Sequence, residues 1–448
     1  MSKSRRGRRK QRLPEEPVEV VIESLSAEGR GVAHIDERIV FVDQALAGER
    51  VTFQYTKIKK NLAEAKVLEI LESSPDRVEP ICEVFTICGG CSLQHMSRES
   101  QLALKQQTLI DHLSHIGNVV PEVILEPVIG PTNNYRNKAR LGVRHVRKKE
   151  KVLVGFRERG SSFITDTKRC EVLHDSVGPH LEEIASCIAD LELNERIPQI
   201  EVAVGDNQTV LVFRHLDPLS LDDREKLAAL CEKHNYIAYL QAAGPDVLEN
   251  LWPQNPESLF YELPDFDVRF EFVASDFTQV NPEINREMVK RAIAYLELDE
   301  ADNVLDLFCG LGNFTLPISR SCNSVTGVEG SLAMVKKARD NATLNQITNV
   351  EFVYGDLYSD ETLSEPWLKQ HYDKVLMDPP RSGAAEVLEH LGKIKPQIIV
   401  YVSCHPATLA RDADVLVNQL GYKLTQAGIL DMFPHTAHVE SMAVFKRK

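Results

Sequence analysis

Residues 304–315 read VLDLFCGLGNFT, an apolar run that passes through Asp306 into Gly310 and Gly312 and then into a helix-forming stretch. A buried strand that ends in a glycine-rich turn lets backbone approach a ligand at the N-terminus of the following helix. The spacing departs from the dinucleotide fingerprint, because Phe314 and Thr315 stand where a third glycine would allow close helix packing. Phosphate cradling is therefore disfavoured. Further acids end the next two apolar runs, Glu329 in VTGVE and Asp356 in VYGD. Carboxylates on three successive strands suit the ribose hydroxyls, adenine amino group and charged amino-acid end of S-adenosylmethionine better than they suit NAD. One such acid alone would be read as a helix cap.

The same alternation continues on both sides. From residue 285 onward, helical stretches separate the apolar runs NVLDLF, SVTGVE, VEFVYG, KVLMD and IIVYVSC, with SMAVFKR closing the chain. This pattern predicts a parallel doubly wound α/β sheet. Its fourth strand ends in Asp378-Pro379-Pro380-Arg381. Methyltransferases that alkylate exocyclic amino groups place an aromatic residue after the two prolines to stack the base, and Arg381 in that position disfavours amino-nitrogen chemistry. The fifth strand ends at Cys404, just before a helix start, and Glu440 precedes the closing strand. An ordinary cysteine is only about 3% thiolate at neutral pH, so a nucleophilic Cys404 needs a helix N-terminus or a cation to lower its pKa. Glu440 is placed to act as a base.

Upstream, residues 14–71 hold the short strand-like segments VEVVIESL, RGVAHID, RIVFVD, ERVTFQYTKI and AEAKVLEIL, the rhythm of a small OB-like β-barrel. Residues 97–116 carry Leu102, Leu109, Leu113 and Ile116 near helical spacing, with Ser97 or Ser100 as cap and Gly117 as stop. Between about 126 and 275, runs such as ARLGVRHV, KVLVGFRE, IEVAVGD and TVLVFRHL accompany a helical stretch at 222–234 and predict an α+β domain. The expected organisation is a basic tail at 1–12, a barrel at 13–71, a central α+β domain at 72–275 and a Rossmann-like methyltransferase domain at 276–448. Helix 97–116 is a candidate to pack on the last of these.

Composition sets the class. The 448 residues are 43% apolar and 26% charged, ordinary values for a folded globular chain. No uncharged apolar run approaches the roughly 18 residues of a membrane span, and the basic start MSKSRRGRRKQR leads into LPEEP rather than a signal-peptide core. Cytoplasmic residence is expected. The net charge of −14 argues against a nucleic-acid partner, but its distribution argues for one. Residues 1–12 carry seven basic side chains and no acid, and residues 131–170 carry twelve against three. Lys57, Lys59, Lys60, Arg136, Lys138, Arg140 and Arg144 are candidate phosphate contacts, with Tyr135 and Phe156 as candidate stacking partners. A solvated basic face is the plainer reading of the same residues.

Nine cysteines without a secretion signal argue against a disulfide framework. Three of them form Cys82-x5-Cys88-x2-Cys91, and Cys170 in TKRCEVLH is the candidate fourth member. Four thiolates suit zinc or an iron-sulfur cluster, and spacing alone does not separate the two. Cys187, Cys231, Cys309 and Cys322 fit no pattern and read as buried apolar residues.

Cys404 and Glu440 together specify methylation of a carbon that is not normally nucleophilic, and C5 of uracil is such a carbon. Cys404 adds to C6, which makes C5 nucleophilic toward the methyl of S-adenosylmethionine. Glu440 then removes the C5 proton, and elimination of the thiolate restores the enzyme. The base must be flipped or single-stranded to be reached.

The segments DPPRSG, VYVSCHPATLARD and DMFPHTAHVE resemble the signatures of the RNA uracil-5 methyltransferases, and the N-terminal barrel resembles their TRAM RNA-binding domain. The resemblance covers nearly the whole chain and is strongest to the members that act on 23S ribosomal RNA. It implies 5-methyluridine formation at uracil 1939; a monomer acting on 23S ribosomal RNA is the expected form. It also implies Cys404 as nucleophile, Glu440 as proton acceptor, and Gln279, Phe308, Asn313, Glu329, Asp356 and Asp378 around S-adenosylmethionine and the target base. For Cys82, Cys88, Cys91 and Cys170 it implies a [4Fe-4S] cluster. The competing readings are methylation of another 23S uracil or of tRNA, and a non-catalytic iron-sulfur RNA-binding factor.

Overall fold

A computed structural model describes residues 13–14, 16–242, 247–359 and 365–448, so the basic tail at 1–12 lies outside the described residues. The chain divides into two compact units. One comprises Met1–Thr86, Cys91–Lys105 and His435–Ala437, and the other comprises Ile87–Gly90, Gln106–Pro434 and His438–Lys448.

The first unit is built on six strands: β1 (Val18–Val21), β2 (Ser24–Leu25), β3 (Gly31–Ile35), β4 (Arg38–Asp43), β5 (Arg50–Ile58) and β6 (Leu62–Glu72). They form one sheet in the order β1-β5-β6-β4-β3-β2. All pairs are antiparallel except β4 with β6. Two-residue alternation turns Val40, Val42, Val51, Phe53, Ala63 and Ala65 onto a common core with Ile22. The first predicted strand-like segment, VEVVIESL, is interrupted at Ile22: its N–H bonds Glu49 O, which splits the run into β1 and β2.

Helix α1 (Arg98–His115) follows, and the Ser97 hydroxyl accepts the Ser100 N–H at 3.3 Å, so Ser97 is the cap. Residues up to Lys105 belong with the first unit and those from Gln106 with the second. The helix ends against the second unit's own chain, since a Cβ on Gly117 would meet Ala410 O at 2.6 Å.

The second unit contains β7 (Val123–Ile124), then β8 (Lys138–Val146), β9 (Lys151–Gly155), α2 (Leu181–Ala189), β10 (Gln199–Val204), β11 (Thr209–Arg214), α3 (Leu221–Lys233), β12 (Tyr236–Gln241) and β13 (Leu248–Trp252). From β8 onward the strands form a mixed sheet in the order β13-β12-β11-β10-β8-β9, with α3 crossing between the parallel pair β11 and β12. Leu181, Ile184 and Ile188 of α2 and Leu227 and Cys231 of α3 bury their apolar stripes against Leu141, Ile200, Leu211 and Phe213 of this sheet. A hairpin, β14 (Leu259–Leu263) with β15 (Val268–Phe272), leads to α4 (Pro282–Leu296).

The remaining elements are β16 (Asn303–Leu307), α5 (Thr315–Ser319), β17 (Ser324–Glu329), α6 (Leu332–Leu344), β18 (Val350–Tyr354), β19 (Lys374–Met377), α7 (Ala385–Ile394), β20 (Ile398–Ser403), α8 (Pro406–Asp414), β21 (Tyr422–Leu430) and β22 (Glu440–Arg447). Their sheet runs β18-β17-β16-β19-β20-β22-β21-β7. The five strands from β18 to β20 are parallel, and the strand order reverses on either side of β16. In such a sheet, ligands bind beyond the carboxyl ends at that reversal. Beyond this parallel part, the closing strand β22 is antiparallel to both β20 and β21, and β7 joins the far edge.

Candidate active site at the carboxyl edge of the eight-stranded sheet

The loops after β16, β17, β18, β19 and β20 converge on a cavity of about 830 Å³ within the second unit. Gln279, Phe308, Asn313, Glu329, Asp356, Asp378, Cys404 and Glu440 all line it, so the catalytic and S-adenosylmethionine residues that the family resemblance implies fall on one surface.

The chain leaves β16 through Phe308, a non-glycine residue in the left-handed region (φ 63°), and Gly310 and Gly312 (φ 56° and 90°) complete the turn. Bulky residues enter that region at a cost of about 1–3 kcal/mol, which the surrounding packing must offset. The turn brings the Gly310 N–H to one oxygen of Glu329 at 3.1 Å, and the Ser331 N–H reaches the other at 3.0 Å. The Glu329 carboxylate is thus fixed at the end of β17, with lone pairs left for ribose hydroxyls. Asn313 exchanges amide hydrogen bonds with Asn285 of α4 (2.9 and 3.1 Å), and its oxygen also accepts the Tyr261 hydroxyl at 3.0 Å. Asp356 is exposed at the mouth, one oxygen accepting the Tyr358 N–H. Gln279 lies on the loop between β15 and α4. That loop is tied down by Asp276, whose carboxylate accepts Val273 N–H at 2.8 Å and pairs with Lys337, and by Asn137 N–H on Val280 O.

Asp306 departs from the expected pattern of three ligand-facing acids. It is buried inside β16, accepts the Thr315 hydroxyl at 2.5 Å and does not line the cavity. Burial pushes its carboxyl up to about 7.

At the other end of the cavity, Ser403 of β20 pairs with Ser441 of β22. The next residue out on each strand is Cys404 and Glu440. Burial raises the Cys404 thiol to about 11, and the Glu440 and Asp378 charges add to the rise, while Arg381 opposes it. Burial likewise holds Asp378 up at about 7 and lifts Glu440 well above the usual carboxylate range, with Asp378 adding to and Arg381 opposing the latter shift. The sequence expectation of a thiol lowered by its setting is therefore corrected. Three acidic groups share the site, and the proton comes off Cys404 less readily than from a free cysteine. Arg381, exposed and 3.3 Å from His438 Nδ1, is the cation that favours the charged forms of Cys404 and Glu440.

Sequence reasoning missed several lining residues: Phe277, 72% exposed, Phe433, whose ring meets His438 edge-on at 4.5 Å, and Cys309, which was read as a plain core residue. DMFPHTAHVE contains Phe433 and His438, but nothing in its spacing separates lining residues from packing ones.

A second cavity of the same unit, about 1030 Å³, lies along β8 and β9. Arg136, Arg140, Arg144, Arg157 and Arg159 line it with a single acid, Glu158, and with Phe163, which is 71% exposed. Arg136 lies 5.1 Å over the Phe156 ring. This fits the candidate phosphate contacts Arg136, Arg140 and Arg144. Tyr135 is corrected: it is buried, and its hydroxyl donates to Pro434 O at 3.1 Å, so it offers no stacking face. In the first unit, Lys57 is paired with Glu64 at 3.1 Å.

Of the four cysteines expected to act together, Cys82 and Cys91 belong to the first unit and Cys88 and Cys170 to the second; all are half-buried. Cys82 N–H donates to Gln94 Oε1 at 3.1 Å, and Gly90 N–H points at Cys88 Sγ at 3.4 Å.

Comparison with known proteins places these features in context. Residues 98–448 match the family model "tRNA (Uracil-5-)-methyltransferase", and residues 11–68 match the TRAM domain. The chain is 49% identical over 445 residues to the Hahella chejuensis protein named 23S rRNA (uracil(1939)-C(5))-methyltransferase RlmD, covering 98% of this chain and 99% of that one. A protein of the same name from Alkalilimnicola ehrlichii is 50% identical, with 99% of each chain covered. Among solved structures, the Pyrococcus abyssi tRNA (uracil-54, C5)-methyltransferase in complex with S-adenosyl-L-homocysteine has the same fold. Its TM-score is 0.72 at 24% identity, covering 96% of this chain and 100% of that one.

Proposed function

The chain belongs to the tRNA (uracil-5-)-methyltransferase family, with a TRAM domain preceding the matched region, and from that premise we propose that it methylates C5 of uracil 1939 in 23S ribosomal RNA, using S-adenosylmethionine. The observation that carries the reading is the placement of Cys404 and Glu440 at the paired ends of β20 and β22, in the cavity that also holds Gln279, Glu329, Asp356 and Asp378. The choice of RNA follows from the identity of about half the residues, over nearly full length, to relatives named for that position.

S-adenosylmethionine supplies an electrophilic methyl group. The chain's own residues do the rest. Glu329, with both oxygens anchored by backbone N–H groups, takes the ribose hydroxyls. Asp356, at the end of β18, takes the adenine amino group. Phe308 flanks the ligand, and Asn313 and Gln279 orient the ligand and the target base. Cys404, once its thiol proton has passed to solvent, adds through sulfur to C6 of the flipped uracil, and the ring electrons shift to make C5 the nucleophile. After C5 is alkylated, Glu440 in its ionised form, which Arg381 favours, takes the C5 proton and the C6–S bond breaks, returning the electron pair to sulfur. Asp378, half-buried beside them, keeps a proton near neutral pH and so can donate a hydrogen bond to the base. Burial of the base between these groups keeps water from the adduct.

The arginine-lined cavity along β8 and β9 serves the RNA backbone, with five guanidiniums against one carboxylate. Cys82, Cys88, Cys91 and Cys170 hold a [4Fe-4S] cluster; the spacing of the first three supports this, as does the chemistry of four half-buried thiols. Methyl transfer consumes no electrons, so the cluster's part is structural or RNA-facing. No helix among the described residues is long and apolar enough to cross a membrane. The enzyme acts as a monomer in the cytoplasm, where ribosomal RNA is made.

The test is to map methylated uridines after incubating unmodified 23S ribosomal RNA with the protein and S-adenosylmethionine. A methyl group at uracil 1939 supports the assignment. Modification only of another uracil, or only of tRNA transcripts, rejects it.

A further inference from the structure

One cluster of metal-ligating side chains lies outside the active-site cavity. Among the described residues, His180, Glu183 and His234 each bring a ligand atom to within 4.8 Å of the others. His180 immediately precedes α2 and Glu183 sits three residues on, so the two project from the same face of its first turn. His234 caps the C-terminal end of α3, and Asn235 in the left-handed region (φ 55°) turns the chain into β12. The imidazoles of His180 and His234 approach to 4.2 Å between centroids, and the Tyr236 ring stacks on His234 at 5.3 Å. The Tyr236 hydroxyl is itself held by the carbonyl of Ser176. Three ligand-type side chains from two helices are therefore fixed before any ion arrives.

Two imidazoles and a carboxylate form a donor set that zinc and its neighbours in the first transition row favour. A polar cavity of about 650 Å³, lined by His174, Ser176, His234 and Asn235 among others, opens beside the cluster and gives water access for a fourth position. We propose that His180, Glu183 and His234 form a three-ligand site for a divalent transition-metal ion of the zinc type. Glu183 now shares its oxygens between His234 Nε2 (3.0 Å) and Lys233 Nζ (2.6 Å). Binding exchanges the His234–Glu183 hydrogen bond for two bonds to the ion. Lys233 keeps the other oxygen and opposes the ion by its charge. The ion ties the start of α2 to the end of α3, the two helices that cover one face of the central sheet.

The test is titration of the tag-free, full-length protein with Co²⁺, followed by competition with Zn²⁺. The expected result is one equivalent whose visible absorption lacks thiolate-to-cobalt charge transfer, which separates it from any cysteine-bound metal. His234→Ala abolishes this signal, and the near-isosteric Glu183→Gln weakens binding by about tenfold or more. Lys233→Met tightens binding several-fold, because the competing charge is gone. A signal that persists in His234→Ala, a spectrum showing sulfur ligation alone, or no bound cobalt in a normally folded wild-type protein each overturns the proposal.

Discussion

Cys404 and Glu440 lie 36 residues apart in sequence, yet each is the next residue beyond Ser403–Ser441, the last pair of the antiparallel β20–β22 ladder, and both line one cavity. The pairing sets the nucleophile and the proton acceptor on the two strands that end in the same cavity. It also couples their ionisation, since the Glu440 charge is one of the two that lift the Cys404 thiol.

Cys404→Ala is expected to abolish methyl transfer while leaving the fold intact, since the side chain is only half-buried and lies beyond the last residue of β20. With 5-fluorouracil-substituted ribosomal RNA the wild-type protein should accumulate a complex stable to denaturing gels, because fluorine cannot leave C5 as a proton does. The variant should form none. A stable complex in the variant would exclude sulfur addition at this position.

Glu440→Gln separates the two halves of the reaction. Alkylation still occurs, but proton removal slows by about 10²–10⁴-fold, the usual contribution of a positioned base. The covalent complex should therefore build up on unsubstituted RNA, where the wild-type protein shows only product. Loss of activity without accumulation would move the Glu440 role to an earlier step.

The pH dependence follows from the raised thiol. With Cys404 at about 11, the thiolate fraction climbs roughly tenfold per pH unit across the neutral range, and single-turnover rates should rise with it. Arg381 favours the thiolate, so Arg381→Gln should move the rise to higher pH. A profile that is flat from pH 7 to 9 under single-turnover conditions would contradict a protonated resting thiol.

Asp306 gives an opposite-signed effect on stability. Its carboxyl titrates near 7 in the folded chain, against the ordinary 3.8. Between about pH 4 and 7 the folded state keeps a proton that the unfolded chain releases, so stability falls as pH rises through that window. Asp306→Asn should flatten this part of the curve in urea unfolding at pH 5 and pH 8. An unchanged slope would mean that Asp306 is ionised in the native protein.

Gly327, opposite Asp306 in the β16–β17 ladder, has no room for a methyl group: a Cβ would lie 2.9 Å from the Phe352 ring and 3.0 Å from Cys309 Sγ. Gly327→Ala should cost about 1–3 kcal/mol by overpacking. Because Cys309 lines the cavity, the weakening should also appear as a higher dissociation constant for S-adenosylhomocysteine. Unchanged affinity and melting temperature would show that the strand gives way freely.

The sequence made the sheet's parallel half legible because each strand there is a continuous apolar run with its acid or cysteine at the carboxyl end, which marks position and chemistry together. Glu329, Asp356, Asp378 and Cys404 were found this way. Asp306 was misassigned by the same rule, since a residue within a strand points to one face or the other and the run of apolar neighbours does not say which. β21 was not resolved because its nine residues, YKLTQAGIL, mix polar and apolar positions, and its partner β22 lies beyond a loop. Gln279 was named only through family resemblance: its loop has no periodicity, and its place is set by Asp276 through Lys337 and by Asn137, the last two distant in sequence. The direction of the Cys404 shift was missed because the helix start after it was visible in sequence, whereas the burial that raises the thiol was not.

The most direct test is release of tritium from 23S ribosomal RNA labelled at uracil C5, measured with S-adenosylmethionine present and a tRNA transcript run in parallel. Methylation at C5 must expel that hydrogen, so the account predicts release from the ribosomal RNA, dependent on S-adenosylmethionine and absent with Cys404→Ala. Methyl incorporation into the RNA without tritium release, or release from tRNA alone, would contradict it.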